Sequence, residues 1–511
     1  MREDAATGGG MGEPPSAGGT LEAFEAWLRA VGATWEGVRM EAVGGARGGR
    51  PCYGVRAERD LRVGDVVARI PTELCLTART TACATLLDEE LIGGTLALVF
   101  AVMHERALGE ASRWWPYLRI LPAAEPIPCL WEEVERELLL GTELEDMVET
   151  DETLMRQDFE QHLKPLLEKH PARFAPELHS FSKFKAAASL VSSRAFRVTS
   201  EHGDGMVPVA DMFNHRTLGE HVHVTGPDDE SSSEDSEEAS GEASGEAAAP
   251  EPEPKVAGAD EFLTIEVVKA IVKGEEVFNT FGEHGNAALL HKYGFCEPDN
   301  ALNFVNLPAS ILEEVFDEAT IEQVVDKLYR GRELEAFEVD NDGNVEPELL
   351  ATVAYGVASE AQRRDWNAAE GGALGALEAT EPAQLLADRE TLSIVLSIID
   401  ERLQAYDEGS SGDDFERMER EMRTLEEAGN PGCTNKAAAF CLVAGEKRCL
   451  ERAMVKLIEM AKAGGGKPKA AAKKRKVMTG APYDAVVYRG GAGGSKPQKQ
   501  PKKKSGGPAV L

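Results

Sequence analysis

The chain has 511 residues, enough for about three domains of ordinary size, which excludes a single small module. Its 55 Lys and Arg against 89 Asp and Glu give a net charge of -34, so the whole chain repels nucleic acid and anionic membranes. Residues 462–511 carry 13 Lys and Arg against Asp484 alone, a net charge of +12 that leaves -46 for residues 1–461. We therefore expect body and tail to act differently, and we expect no specific nucleic-acid partner.

The cysteine content and the hydropathy of the chain limit the cellular compartments in which we expect it. The eight cysteines include no Cys-x-x-Cys pair, which argues against both a disulfide framework and a zinc site, so no metal is expected. No stretch approaches the roughly 18 apolar residues of a membrane helix, and the acidic N-terminus lacks a signal core. These features predict a reduced protein of the cytosol or nucleus without membrane contact.

The predicted elements begin after residues 1–20, a Gly- and Pro-rich segment expected to be disordered. Thr20 is a suitable N-cap for a first helix, and four apolar residues follow it at helical spacing: Leu21, Phe24, Leu28 and Val31. Short Val-rich runs bounded by Gly or Pro then predict strands, and helical periodicity predicts a helical insertion over about 80–187. Strands are predicted again at three places: 206–209, 262–268 and 277–281.

Two later segments differ in composition. Residues 227–254 hold 11 Asp and Glu and no Lys or Arg, which predicts a disordered acidic insertion over about 227–256, inside a domain that spans 21–305. From 306 to 462 the periodicity is helical and predicts an all-α domain without strands. The Gly- and Lys-rich residues 463–511 predict a disordered basic tail.

A glycine-dense stretch, residues 44–50, precedes Tyr53 and Gly54. It does not match a dinucleotide-binding fingerprint, because strand-like residues follow it where that motif opens a helix. Two interpretations stay open. The stretch is a plain surface loop, or Tyr53 and Gly54 let a ligand pack against backbone with no side chain in the way.

An apolar run that stops at polar residues marks a second candidate site. Residues 206–210 are apolar, and Asp211, Asn214 and His215 follow. The pattern fits a turn in which the polar side chains bond local backbone, and it also fits a pocket edge. His221 and His223 lie nearby, but the acidic surroundings favour solvated histidines over a metal site.

The third candidate runs from Gly274 to Phe295. The pattern predicts a turn, a strand and a short helix that Asn286 caps and Gly294 stops. Tyr293 falls in the last turn of that helix. By itself it fits a half-buried aromatic residue as well as a catalytic one.

Together these pieces resemble the SET-domain protein methyltransferases of the Rubisco large-subunit type, and within them the group of SET-domain-containing protein 6 and ribosomal lysine methyltransferase 4. The resemblance covers about residues 21–300, and residues after 308 look like the family's substrate-binding domain. It rests on six motifs in family order: Tyr53-Gly54-Val55, Trp115-Pro116-Tyr117-Leu118 with Leu121-Pro122, Ser193-Arg194-Ala195-Phe196, Asp211 to His215, Phe278-Asn279-Thr280-Phe281-Gly282 and Tyr293-Gly294-Phe295.

The resemblance implies a mainly β SET fold with a helical insertion, followed by an all-α domain. The fold class of the whole chain is therefore expected to be α+β. It implies S-adenosylmethionine as cofactor, a protein substrate with a target lysine, and no metal. The implied cofactor-binding residues are Tyr53, Gly54, Arg194, Asp211, Asn214 and His215. Arg194 would pair with the cofactor carboxylate, Asn214 and His215 would bond its amine and adenine, and Tyr293 would be the catalytic tyrosine.

One departure concerns the substrate channel. Close relatives read Phe-Asn-Thr-Tyr-Gly where this chain has Phe281, which removes a hydroxyl and leaves the number of transferred methyl groups open. The expected function is methylation of a lysine in a non-histone, ribosomal or nuclear protein. Two alternatives are protein-histidine methylation, whose branch lacks the tyrosine kept here as Tyr293, and a non-catalytic SET-fold adaptor.

The basic tail contains the compact cluster Lys473-Lys474-Arg475-Lys476 and, later, the run Lys502-Lys503-Lys504. The cluster fits a solvated charge run, and it also resembles a nuclear import signal that an import receptor would bind. We expect a nuclear protein, with the cytoplasm open as a second location.

Overall fold

The computed structural model describes residues 17–47, 50–228, 262–332, 334–427 and 434–463, and the statements below refer to these residues. The predicted acidic insertion beyond residue 228, the tail beyond 463 and the import cluster at 473–476 lie outside the described residues. So does most of the predicted N-terminal segment. No described helix combines the length and the low charge that spanning a membrane would need.

The first part of the chain contains nine helices and nine strands among the described residues, and these surround one hydrophobic core. In chain order they are α1 Ala17–Ala30, β1 Thr34–Trp35, β2 Val38–Arg47, β3 Arg50–Ala57, β4 Val66–Pro71, β5 Leu76–Thr77, α2 Ala84–Glu89, α3 Gly94–Leu108, α4 Trp115–Leu118, α5 Glu133–Arg136, α6 Glu145–Asp158, α7 Lys164–Lys169, α8 Phe181–Arg194, β6 Ala195–Thr199, β7 Gly203–Met206, β8 Val222–Thr225, β9 Phe262–Val267 and α9 Asn286–Tyr293.

The strands form three small antiparallel sheets, ordered β1-β4-β9-β8, β5-β7-β6 and β2-β3. Strand β9 shows why its residues form a strand, because Leu263, Ile265 and Val267 are fully buried and alternate with residues that are not. This alternation also fixes the register against β4, in which Ile70 lies opposite Leu263. Strand β3 carries Tyr53 and Gly54 of the candidate site.

The strand predicted at 277–281 does not form. The segment makes only isolated bridges, between Arg56 and Glu276 and between His215 and Asn279. Its backbone bonds β3 at one end, through Val277 N to Val55 O (2.8 Å), and Asn214 O at the other, through Asn279 N (2.8 Å). Because its partners change along its length, no continuous ladder can develop. The segment instead ties two parts of the site together.

Two helix starts differ from the prediction. Helix α1 begins at Ala17, three residues before Thr20, and Val31 is 39% exposed after the helix has ended. Helix α9 is capped by Gly285, whereas Asn286 is its first residue and donates from Nδ2 to Glu297 O (2.8 Å). The Asn286 side chain, which was expected to cap the helix, thus bonds the backbone carbonyl of Glu297 instead.

The second part of the chain has its own core. Its elements are β10 Phe304–Pro308, α10 Glu318–Val324, β11 Ala336–Asp340, α11 Pro347–Val357, α12 Glu360–Asn367, α13 Gly372–Glu378, α14 Pro382–Leu385, α15 Arg389–Gln404, α16 Ser411–Glu427 and α17 Asn435–Ala463.

The prediction that this part has no strands is wrong, because β10 and β11 pair antiparallel along five residues each. Phe337 and Val339 of β11 are fully buried, and acidic residues separate and follow them. An alternation of polar and apolar residues over so few positions is weak evidence for a strand when long helical periodicities surround it.

Helix α17 belongs to both cores. Ala438, Ala439 and Leu442 are buried in the first core, whereas Leu450 and Leu457 are buried in the second. The last helix therefore packs the two parts of the chain against each other.

A buried ion pair joins α17 to the chain before it. The Lys447 side chain is 2% exposed and donates from Nζ to Asp414 Oδ2 of α16 (2.8 Å). The same ammonium donates to the carbonyls of Asp407 (2.8 Å) and Gly409 (3.1 Å). These three bonds satisfy a charge that would otherwise be costly to bury.

Candidate active site

The first polar segment of the site follows a sharp backbone turn. Strand β7 ends at Met206, and Val209 adopts φ +79°, a conformation that a β-branched residue takes only where its surroundings enforce it. A single 3-10 turn over Ala210–Met212 follows and presents Asp211, and Asn214 and His215 come directly after it. Val209 is buried, so core packing holds this turn.

The second segment, around Phe281, bonds to the first. The Phe281 backbone N donates to His215 Nδ1 (3.0 Å), so Nδ1 is an acceptor and the proton lies on Nε2, which faces Thr217 Oγ1 (3.1 Å). Burial lowers the pKa of His215 and favours this neutral form. His215 is therefore a fixed, uncharged part of the wall.

Four aromatic rings surround this junction. Phe281 lies 5.2 Å from the His215 ring, 4.8 Å from the Tyr293 ring and 6.3 Å from the Phe295 ring, measured between centroids. The Tyr293 hydroxyl donates to Phe281 O (3.1 Å). Burial raises the pKa of Tyr293 to about 12, so its hydroxyl stays protonated near neutral pH.

A charged network lies at the end of α8. Arg194 Nε donates to Glu125 Oε1 (2.7 Å), and its Nη1 donates to Asp211 O (2.9 Å) and faces Asp211 Oδ2 (3.4 Å). The Tyr117 hydroxyl donates to the same Oδ2 (2.8 Å). Burial raises the pKa of Asp211 to about 6, although Arg194 and Tyr117 oppose the shift. Asp211 thus orients Arg194, and its carboxylate is fully buried behind the guanidinium.

Gly54 and Glu276 position Asn214. Asn214 Nδ2 donates to Glu276 Oε1 (2.8 Å). A Cβ atom on Gly54 would come within 3.0 Å of Asn214 Nδ2 and 2.8 Å of Val43 Cγ2. A side chain at position 54 would press most closely on Val43 and would also crowd the Asn214 amide.

These residues enclose two cavities that share one wall. The larger, of about 360 Å³, is lined by Tyr53, Met212 and His215 among others, and the smaller, of about 230 Å³, by Tyr293, Phe196 and Thr280. The shared wall consists of Glu125, Arg194, Asn214, Phe281 and Phe295. Ligands in the two cavities would therefore contact the same five residues.

The structure brings most of the predicted site residues together. Tyr53 and His215 line the larger cavity and Tyr293 lines the smaller. Arg194, Asn214 and Phe281 line both. The other two predicted cofactor-binding residues do not line the larger cavity: Asp211 bonds Arg194 and lines the smaller cavity, and Gly54 lies beside Asn214. Their predicted role as direct contacts stays a prediction, and their observed contacts place and orient their neighbours.

Three residues of the site were not predicted from the sequence: Tyr117, Glu125 and Glu276. Glu125 stands alone as a charge in a Pro-rich stretch, residues 122–128, which is a weak signal. Tyr117 and Glu276 fall in the quoted motifs or beside them, but sequence spacing gives no hint of their long-range partners.

A groove larger than either of these cavities lies elsewhere. It holds about 790 Å³ between α5 and α6, and seven carboxylates and two arginines line it. It lacks the buried, convergent polar groups of the two smaller cavities, so it does not compete as the active site. No group of three or more His, Cys, Asp or Glu in the described part of the chain is arranged to hold a metal ion.

The fold is that of SET domains of the Rubisco large-subunit methyltransferase (LSMT) type. The structure of the SET domain of LSMT bound to lysine and AdoHcy aligns with a TM-score of 0.59 and 19% identity, covering 88% of this chain and 93% of that one. Rubisco LSMT bound to AdoMet aligns with a TM-score of 0.58 and 18% identity, covering 87% and 93%. The α+β fold class predicted from the sequence is confirmed.

Sequence relatives agree with this class. The N-lysine methyltransferase SETD6 of Mus musculus is 28% identical over 308 residues, which is 57% of this chain and 57% of that protein. The setd6 protein of Danio rerio is 29% identical over 267 residues, 48% of this chain and 51% of that protein. The chain thus spans little more than half the length of these relatives. No family model matches it. The predicted resemblance to the SET-domain-containing protein 6 group is confirmed.

Proposed function

We propose that this protein transfers methyl groups from S-adenosylmethionine to the side-chain amine of a lysine in another protein. The observation that carries the proposal is the shared wall between the two cavities. A cofactor in the larger cavity and an amine in the smaller would face each other there, and direct displacement needs that alignment more than it needs acid-base chemistry. The names of the SETD6 relatives and the ligands of the LSMT structures support the same assignment.

The larger cavity fits the cofactor's chemistry. Arg194 Nη2 makes no hydrogen bond with the described residues, so it is available to a carboxylate. Tyr53, Asn214 and His215 offer an aromatic surface, an amide and a neutral imidazole for the rest of the molecule. When bound, S-adenosylmethionine would supply a methyl group activated by its sulfonium.

The smaller cavity fits a lysine side chain. Phe281, Phe295 and Phe196 give it apolar walls that suit the aliphatic stem. An amine buried there would favour its neutral form, which is the form able to attack. Because the Tyr293 proton points to Phe281 O, the hydroxyl oxygen keeps lone pairs that can accept a hydrogen bond from the amine and orient it.

The test is incubation of the purified chain with labelled S-adenosylmethionine and cell extract, followed by mass spectrometry of the labelled protein. We expect methyl-lysine, and we expect Asn214→Ala to suppress the label because the amide belongs to the shared wall. Methyl-histidine would contradict lysine as the acceptor. Tight cofactor binding without any label would support a non-catalytic adaptor.

The substrate class follows from charge. We propose basic proteins, such as ribosomal or nuclear ones, because residues 1–461 carry a net charge of -46 that draws Lys-rich partners. The attraction should weaken as salt rises, since screening shortens its range. The basic tail is expected to contribute little to this attraction.

We also propose that the protein acts in the nucleus and that an import receptor binds Lys473, Lys474, Arg475 and Lys476. Changing all four to Ala should move a fluorescent fusion from nucleus to cytoplasm, because import receptors recognise compact basic clusters. The matched control changes Lys502, Lys503 and Lys504 to Ala. If the first variant keeps the distribution of the parent, the cluster is a solvated run of charges and not an import signal.

A further inference from the structure

A loop of the helical insertion packs against the second part of the chain. Gly141, at φ +76°, lies so close to the end of α15 that a Cβ atom would come within 2.2 Å of Ala405 O. Two residues further on, Glu143 accepts two hydrogen bonds from Asn306 of β10, at Oε1 from the backbone N (2.7 Å) and at Oε2 from Nδ2 (2.8 Å). We call the contact of residues 141–143 with β10, α15 and α17 the 141–143 interface.

Arg402 of α15 is the cation of this interface. Its side chain is 10% exposed, and its guanidinium donates to Gly141 O and Asn306 O. Its Nη2 lies 3.6 Å from Glu143 Oε1 and 3.7 Å from Glu446 Oε2 of α17. In the described part of the chain, no other cation forms an ion pair with either carboxylate. One positive charge therefore faces two carboxylates.

The two carboxylates have different surroundings. Both Glu143 oxygens accept N–H bonds, which suits an ionised group. Glu446 is more deeply buried, at 3% exposed against 12%, and accepts from the Tyr406 hydroxyl (2.7 Å) and the Glu143 backbone N (3.3 Å). When two carboxylates share a site, repulsion and burial favour protonation of one of them. Burial and the nearby Glu143 carboxylate raise the pKa of Glu446 to about 8, so Glu446 holds a proton near neutral pH.

The other titratable groups near Glu446 do not supply a second positive charge. Burial raises the pKa of the Cys449 thiol, three residues along α17, to about 12. Burial also holds the pKa of Tyr406 well above its usual range, so both groups stay neutral. The ammonium of Lys447, the next residue in the chain, bonds Asp414 on α16 instead. Ionisation of Glu446 would therefore leave the interface with one negative charge in excess.

We propose that Glu446 is a proton-dependent switch at the 141–143 interface: its protonated form keeps the two parts of the chain packed together, and loss of the proton loosens the contact. With Glu446 protonated, the charges of Arg402 and Glu143 balance. An additional negative charge is costly there because water is largely excluded. No residue of the interface lines either cavity of the candidate site, so the switch does not depend on the proposed reaction.

The first test is the pH dependence of urea unfolding in the parent protein and in Glu446→Gln, which stays uncharged at every pH. Between the ordinary pKa of 4.5 and about 8, the folded parent keeps a proton that the unfolded chain releases, so its stability falls as pH rises and then levels off. Relative to the variant, the folded-to-unfolded ratio of the parent should fall by about 10- to 100-fold from pH 6 to pH 9. The matched control, Glu459→Gln, changes an exposed residue of the same helix and should follow the parent.

The second test locates the effect by amide hydrogen exchange. At pH 9 the amides of residues 141–145 and 402–406 should exchange faster in the parent than in Glu446→Gln, whereas at pH 6 the two proteins should agree. Comparison at equal pH cancels the intrinsic pH dependence of exchange. A parent and variant with the same pH dependence of unfolding would overturn the proposal. So would a difference in unfolding without faster exchange at these residues.

A second variant keeps the proposal testable if Glu446→Gln folds poorly. Glu143→Gln removes the competing carboxylate, which leaves Arg402 to pair with Glu446 and should bring the pKa of Glu446 down. Its folded-to-unfolded ratio should therefore fall less between pH 6 and pH 9 than that of the parent. A fall as large as the parent's would contradict the switch, because the proton would then not depend on the pair of carboxylates.

Discussion

Tyr293→Phe should lower the turnover number about 100-fold or more while cofactor affinity stays within about threefold. The hydroxyl lies in the smaller cavity and bonds Phe281 O, so its loss removes an acceptor for the amine and leaves the larger cavity intact. An interaction made mainly in the transition state has this signature. Turnover is measured on the labelled substrate, and affinity by calorimetry with S-adenosylmethionine.

Tyr329→Phe is the matched control for that change. Its hydroxyl is also partly buried and bonds Thr352 Oγ1 (2.6 Å), but it belongs to the second core, away from both cavities. We expect this control to keep the parent turnover at a modest cost in stability. Equal activity of Tyr293→Phe and the parent would mean that Tyr293 only packs, and that the role implied by the family resemblance does not apply here.

Lys447→Met should lower the free energy of unfolding by about 3 kcal/mol, near the lower end for breaking a buried ion pair. The ammonium is the partner of Asp414 and of two carbonyls, and the Asp414 side chain is 1% exposed. Arg417 Nη1 still faces Asp414 Oδ1 at 3.0 Å, which limits the loss. Urea unfolding followed by circular dichroism gives the measurement.

Two further variants sharpen this prediction. Lys164→Met removes an exposed pair with Glu160 and should leave the free energy of unfolding unchanged within the error of the measurement. The double change Lys447→Met with Asp414→Leu removes both buried charges and should recover much of the loss. A single variant as stable as the parent would show that the buried pair adds nothing to the contact between α16 and α17.

The sequence predicted the parts of the site that lie close together along the chain. Asp211, Asn214 and His215 follow an apolar run within a few residues. Tyr293 ends a short helix, and the glycine that stops this helix, Gly294, can be recognised in the sequence. Local spacing and turn chemistry marked these residues as candidates, while a plain turn and a packing role stayed open for them until the family resemblance was considered. The family resemblance then predicted that Arg194 belongs to the same site.

The contacts that could not be predicted are long-range ones. Glu125 and Arg194 are bonded although they are 69 positions apart in the sequence, and Tyr117 and Asp211 are 94 positions apart. No periodic pattern in the sequence indicates either contact. The left-handed backbone of Val209 is set by core packing against the preference of a β-branched residue. The strand β11 was missed because five alternating residues are too few to outweigh the helical pattern around them.

The position of α17 bears on how the protein folds as it is synthesised. Domains usually fold in order as they leave the ribosome, N-terminal first. Here Ala438, Ala439 and Leu442 complete the core of the first part, although they are made more than 130 residues after its last helix, which ends at Tyr293. Part of the apolar core of the nascent first domain must therefore stay exposed to solvent until α17 has been synthesised. Chaperone binding would matter most during this period.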